Sequence, residues 1–271
     1  MNQIVKVGDL SQYLRTIRLD DTWALDMKGV TRGNRRKFVA TAPESGSPVS
    51  DGSRDYYWKA SIARFPLEFW SEVLAFHIGT FLNVPVPITF PSTLVADEAP
   101  IAGSLAQGIT DPTTSELLVH GGDLLSGMNP SFDRTKGEKH SYQAVKHALD
   151  HFGLGDLLST LTRLFIFDAL IGNSDRHQEN WALVCRVDEN KLGLRYAVAP
   201  AFDNGSSLLR EVAEDKLHLF VTDSPRRRKY IEKGTPHLRW EEGDMYEEVT
   251  HLDLLKRIAA VDPGVTTMIN E

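Results

Sequence analysis

Acidic side chains at the ends of strongly apolar segments limit what this chain can fold into more than any other feature. Residues 164–208 read LFIFDALIGNSDRHQENWALV, then a short connector, then AVAPAFDNGSSL. They gather Asp168, Asp175, His177, Glu179, Asn180 and Asp203 into two turns flanked by apolar runs. Desolvating a charge is costly unless a cation or other partner compensates. Two acids and an amide at such ends point to a divalent metal with a polyanion beside it.

The 271 residues allow one large domain or two smaller lobes, and 41% hydrophobic content is enough for a core. A net charge of −7 is not the bulk signature of a nucleic-acid binder. The single cysteine, Cys185, fits a reducing compartment. The first residues, MNQIVKVGDLSQYL, lack the pattern of a secretory signal. No run approaches the ~18 apolar residues that cross a bilayer. The expectation is a cytoplasmic protein that neither enters a membrane nor binds nucleic acid directly.

Along the chain, Leu10, Leu14 and Ile17 give 1–20 the spacing of a short amphipathic helix. Residues 22–30 and 37–42 read as strands around the turn TRGNRR, whose tip is Gly33-Asn34. Its Arg32, Arg35, Arg36 and Lys37 fit a solvated hairpin tip or a loop laid over phosphates. DYYWKAS reads as a strand in which Lys59 shares a face with Tyr57 while Trp58 points the other way. Residues 67–83 form an apolar helix that contains Glu72. A carboxylate there needs a partner, and Lys59 is the nearest candidate.

Residues 84–95, limited by prolines, read as an extended crossover, and 96–140 as loops with brief helices. Helices follow at 141–152, with Ser141 as N-cap, and at 155–172, capped by Asp156 and stopped near Gly172. WALVCRV and LRYAVA flank a hairpin turn at 188–190. His147 and His151 share a helix face but lack a third ligand of evident spacing. PRRRKYIEKG (225–234) is either a solvated basic face or a dock for an acidic partner, and 240–260 reads as a helical cap.

Phosphoryl transfer asks for a metal, a lysine on the nucleotide phosphates and a carboxylate at the acceptor hydroxyl. Asp175 and Asn180 have the D-x-x-x-x-N spacing, and Asp203 follows in AFDNG. Lys59 on a strand and Glu72 in a helix supply the pair that orients a phosphate-binding lysine.

GNSDRHQEN with APAFDNGSS resembles the core of the HipA-like serine/threonine kinases and, more distantly, the phosphatidylinositol 3/4-kinases. YYWKAS, EVLAFHIGTFLNVPVP and VTRGNRRKF resemble the strand lysine, the helix glutamate with its exit, and the phosphate loop of the HipA-like enzymes. The resemblance covers roughly residues 23–210. It implies an α+β, two-lobed protein-kinase-like fold, with a small β-rich N-lobe at 1–92 and a mainly helical C-lobe at 93–271. The site would lie in a cleft between lobes joined near 86–95. It implies ATP and Mg²⁺, with Asp175 as acceptor-orienting base, Asn180 and Asp203 as metal ligands, and Lys59 on the phosphates, held by Glu72. His177 would support the loop, and the turn bearing Thr31, Arg32, Gly33, Asn34 and Lys37 would cover the phosphates.

The acceptor implied is a protein Ser or Thr, and toxin-like members regulate translation or growth. Two alternatives stay open: a lipid or small-molecule kinase, and a nucleotide-binding regulator without chemistry. The sequence departs from the family in three places. The usual N-terminal subdomain does not precede the core, so an antitoxin or partner subunit is expected to supply it. The interval from Asn180 to Asp203 is longer by a turn or two of hairpin. The phosphate turn lacks an adjacent serine pair, Thr31 being its only hydroxyl.

Overall fold

Strand alternation sets the first half of the chain. In Asp55–Ala60, Tyr56, Trp58 and Ala60 are buried while Tyr57 is exposed and Lys59 half-buried, the period-2 pattern of a sheet packed on one face. The computed structural model describes residues 10–26, 36–44, 46–49, 55–95, 99–111, 114–137, 139–188, 193–242 and 249–270. The chain divides into two compact units, 1–111 and 112–271.

The first unit holds β1 (Ile17–Leu19), β2 (Ala24–Asp26), β3 (Lys37–Thr41), β4 (Asp55–Ala60), α1 (Glu68–Phe81), β5 (Thr89–Leu94) and β6 (Ile101–Gln107). The six strands form one sheet in the order β1-β5-β6-β4-β3-β2. All neighbours are antiparallel except β1 and β5. Its core gathers Leu19, Trp23, Phe38, Tyr56, Trp58, Phe90 and Leu105. The Phe38 and Trp58 rings stack across β3 and β4 at 4.7 Å. Each large apolar side chain so buried contributes about 1.5–3 kcal/mol.

Three expectations change here. Of the helix expected over 1–20, residues 1–9 lie outside the described ones, and the rest is a short 3-10 turn at Leu10–Leu14 followed by β1. Ile17 and Leu19 gain more on the sheet, where Leu19 is almost fully buried, than a short isolated helix would retain. The stretch 84–95 is no crossover, because β5 lies inside the sheet between β1 and β6. Pro91 is tolerated because pairing with β1 begins only at Ile17↔Ser92, so no β1 ladder bond needs its missing N–H. Residues 101–107, expected as loop, form β6, which pairs with both β4 and β5 and carries the first unit beyond 92 to 111.

The second unit contains β7 (Leu117–His120), α2 (Gly121–Met128), α3 (Tyr142–His151), α4 (Leu158–Ile171), β8 (Ala182–Asp188), β9 (Gly193–Val198), α5 (Leu217–Thr222), α6 (Ser224–Lys233), α7 (His251–Val261) and α8 (Pro263–Asn270). A three-stranded antiparallel sheet, β7-β8-β9, stands among the helices. Ser141 caps α3 as its sequence predicts, accepting from the Ala144 N–H at 3.2 Å. Asp156 does not cap α4. It lies in a 3-10 turn, Gly155–Leu157, that leads into the helix, and no side chain caps that end. At the other end Gly172 takes the left-handed conformation (φ 67°) that stops a helix, which delivers the chain into 173–180. The architecture is α+β: a sheet-built first unit and a mainly helical second one. Among the described residues no helix is long and apolar enough to cross a membrane.

Gly103 on β6 supports the Trp58 packing. A Cβ there would lie 2.4 Å from the Lys59 carbonyl oxygen and 2.8 Å from the Trp58 ring. We expect Gly103→Ala to lower stability by about 1–3 kcal/mol, read as a fall in the urea midpoint at unchanged m-value.

Candidate active site

In the first unit the expected lysine and glutamate meet. Lys59 Nζ donates to Glu72 Oε1 at 3.3 Å, with the Glu72 side chain buried and the lysine partly exposed. The strand presents Lys59 on the face opposite Trp58, and α1 brings Glu72 to it across the apolar body of the helix. Lys37 is the direct cross-strand partner of Lys59, so two ammonium side chains lie side by side on one face. Like charges directly opposite oppose sheet pairing, and an anion bound over them would relieve the repulsion. Thr31, Arg32, Gly33 and Asn34 fall outside the described residues.

In the second unit the loop 173–180 is built around Arg176, whose side chain is almost wholly buried. Its Nε lies 2.9 and 3.1 Å from the two Asp168 carboxylate oxygens. Nη2 donates to Asp168 Oδ1 at 2.7 Å and to Asn204 Oδ1 at 2.6 Å. Nη1 donates to the backbone oxygens of Asn180, at 2.7 Å, and Phe202. These bonds occupy the five N–H groups of a guanidinium. They tie α4, the 173–180 loop and the 201–206 turn to one rigid group. Asn173 adds to the frame, donating its amide to Asp168 Oδ1 at 3.0 Å and accepting from the Asp175 N–H at 3.1 Å.

The chemical side chains are set on this frame. Asp175 Oδ2 lies 3.5 Å from Ser206 Oγ, and the Ser174 N–H donates to the Ser206 carbonyl at 3.1 Å. Asn180 Nδ2 donates to the Asp175 carbonyl at 2.7 Å, which turns the amide oxygen away from that carbonyl. Asp203 has φ 57°, a left-handed conformation uncommon outside glycine. It is held there by Arg176, which grips Phe202 before it and Asn204 after it. Strain of this kind persists only where neighbouring contacts over-determine the backbone.

Glu179, half-buried, is held by an ion pair. Arg134 donates to it through Nε at 2.9 Å and Nη2 at 2.6 Å, and also reaches Asp123, which raises the guanidinium pKa further. His177 lies in the loop, with Nδ1 accepting from the Glu179 N–H at 3.1 Å. Its ring meets His237 at 5.7 Å, and His237 meets fully buried His140 at 5.8 Å. His140 Nε2 accepts from the Trp181 indole at 3.0 Å. Burial, reinforced by His237 and His177, holds His140 well below the ordinary imidazole range. Burial and then His177 lower His237, with Asp175 opposing.

The second unit thus brings Asp175, Asn180, Asp203 and His177 together, and the first brings Lys59, Glu72 and Lys37. Sequence reasoning passed over Arg176, Asn173 and Asn204. The signal was present: an arginine in a turn between two apolar segments can be buried only against a carboxylate, and Asp168 on α4 was the unused one. Among the described residues no group of three or more His, Cys, Asp or Glu side chains could hold a metal. The donors available are one amide and one carboxylate oxygen, Asn180 and Asp203. That hard-oxygen set fits Mg²⁺, which rests on few protein ligands and takes the rest from phosphates and water.

Fold and site geometry define the class: a kinase-like α+β protein. No family model matches the chain. Over 143 residues, 51% of the chain, it is 31% identical to the serine/threonine-protein kinase CtkA of Helicobacter pylori. That match spans 40% of the relative's length. The crystal structure of a H. pylori proinflammatory kinase CtkA superposes with a TM-score of 0.62 at 20% identity, over 95% of this chain and 87% of that one. The chain is thus similar in sequence to that kinase over about half of its own length and shares the fold of the CtkA structure.

Arg176→Leu should destabilise by about 3–5 kcal/mol, because Asp168 would be left buried and unpaired. Arg176→Lys should recover little of this, since an ammonium cannot reproduce the fork. Chemical denaturation of the two variants checks both. Folded His140 and His237 titrate below their unfolded value of 6.5, so between those values the unfolded chain binds more protons. Stability is therefore fully present above pH 6.5 and is lost as pH falls below it. The melting temperature should drop from pH 7.5 to 5.5 and fall less in His140→Gln.

Proposed function

We propose that this protein is an ATP- and Mg²⁺-dependent kinase of HipA-like type that transfers the γ-phosphoryl group to a protein Ser or Thr hydroxyl. The observation that carries the reading is the Arg176 frame, which fixes Asp175, Asn180 and Asp203 on one loop and one facing turn. A bond forms between the acceptor oxygen and the γ-phosphorus, the bond to the β-phosphate oxygen breaks, and ADP leaves. Asp175 orients the acceptor hydroxyl and takes its proton.

Asn180 and Asp203 would hold the metal by their side-chain oxygens. When bound, Mg²⁺ neutralises charge on the transferring phosphates. Lys59, kept in place by Glu72, binds the nucleotide phosphates, with Lys37 beside it; the same reading assigns Thr31, Arg32, Gly33 and Asn34, which lie outside the described residues, to those phosphates. His177 braces the loop through the Glu179 N–H.

Other parts of the proposal reach beyond the site. The one cysteine, Cys185, is buried and free, which supports a cytoplasmic setting. The outer face of α1 exposes Trp70, Leu74 and Phe81 in one stripe. A partner subunit or antitoxin would cover it. A toxin-like role in translation or growth follows if the acceptor is a translation factor. Slowed growth on induced expression, absent in Asp175→Asn, would support that role.

Incubation with labelled ATP and Mg²⁺ tests the kinase. Wild-type protein should label itself or a lysate protein, while Asp175→Asn and Asp203→Asn should each lose about 10²–10⁴-fold in rate. Lys59→Ala should raise the KM for ATP. Retained activity in either aspartate variant would overturn the roles assigned. Label entering a lipid fraction alone would replace the protein acceptor with a lipid one.

A further inference from the structure

The chain that leaves the Asp203 turn goes straight into an element with no interior. Between residues 208 and 235 no side chain is buried, yet the segment folds into the helical pair α5 and α6. Val221 is 79% and Ile231 55% exposed. A helix pair in a folded protein normally gains its stability by burying an apolar face. This one leaves apolar residues in solvent beside a dense row of cations.

The cations divide by use. Arg226 pairs with Asp223, the N-cap of α6, at 3.4 Å. Arg227 Nη1 donates to the Phe220 and Val221 carbonyls at 2.6 and 3.2 Å, satisfying the end of α5. Arg228, Lys229 and Lys233 are exposed and make no ion pair or side-chain hydrogen bond among the described residues. With the exposed Glu232 among them they leave this face of α6 net positive on a chain whose net charge is −7, so the patch opposes the charge of the protein that carries it.

The pair is also anchored to the site. Tyr230 donates to Glu211 Oε1 at 2.8 Å and packs edge-on against Phe220 at 5.5 Å. Leu208 and Leu209, both in the left-handed region at φ 54° and 64°, set the direction in which the chain leaves the Asp203 turn. The Leu208 N–H is pinned to the Ile171 carbonyl at 2.9 Å, at the end of the helix that delivers Asp175. The pair therefore continues along the chain from the Asp203 turn.

We propose that the α5–α6 pair is the docking surface for the acceptor protein, and that it selects an acidic segment of that protein. Arg228, Lys229 and Lys233 meet the carboxylates. The inference rests on the kinase reading for the identity of the partner and on this unit's own geometry for the surface.

The test uses the full chain and a fluorescent peptide rich in Asp and Glu with one Ser and two Leu, followed by anisotropy. Wild type should bind it and weaken as salt rises. R228E/K229E should bind it roughly tenfold more weakly or worse, with R228Q/K229Q between them. Both substitutions lie on an exposed helix face, and an unchanged circular dichroism melt verifies folding. Equal binding by wild type and R228E/K229E, or no binding by either, overturns the proposal. So does tighter binding of a single-stranded RNA oligonucleotide than of the peptide, which would make the patch a nucleic-acid surface. In parallel, transfer of label to the peptide Ser is followed. The charge-reversal variant should raise KM and leave kcat unchanged. Peptide that binds through Arg228 and Lys229 but is never phosphorylated, along with every other acceptor, would sink the kinase reading and leave the docking surface standing.

Discussion

The second unit depends on a single buried cation. Arg176 lies where water cannot solvate it, so every N–H of its guanidinium needs an acceptor from the protein. Asp168 supplies the countercharge from α4, and three backbone or amide oxygens supply the rest, drawn from the 173–180 loop and the 201–206 turn. The geometry that satisfies the guanidinium is also the geometry that seats Asp175, Asn180 and Asp203. A planar fork with fixed angles transmits that order far better than an ammonium would. The left-handed Asp203 is tolerable only because both of its neighbours are held.

The first unit solves the opposite problem. There Glu72 is the buried ion and Lys59 its partner, delivered by a helix and a strand that share no local sequence. The pairing orients an ammonium that still reaches solvent, which is the condition for it to meet an incoming anion. Lys37 beside it concentrates positive charge on one sheet face, as the second unit concentrates oxygen donors around its loop.

Much of this was readable from residue order. The helices around Glu72 and Asp168, the left-handed stop at Gly172, the hairpin of β8 and β9 and the alternation around Trp58 all follow from local pattern. So did the pairing of Lys59 with Glu72 in the first unit. The parts that were not legible share a cause. β1 is too short for its periodicity to outweigh a helical spacing, β5 contains Pro91, and β6 carries Ala, Gly and Ser where a strand usually shows bulk. Each becomes a strand because an edge and a hydrophobic face built elsewhere were waiting for it. The Glu179–Arg134 pair was not legible because its partners lie 45 residues apart.

By itself, then, the sequence determined the chemistry: which acids, amide and lysine exist, in what order, and that they sit at the ends of apolar segments where a charge must be compensated. Only the tertiary structure decided what compensates them. Asp168 could have been a metal ligand, a cap or a surface acid on pattern alone. Its pairing with Arg176, and through it the placement of Asp203 against the 173–180 loop, is a contact across 8 to 28 positions of chain. Desolvation fixes that a partner must be found, and the folded backbone alone fixes which one lies within hydrogen-bond reach.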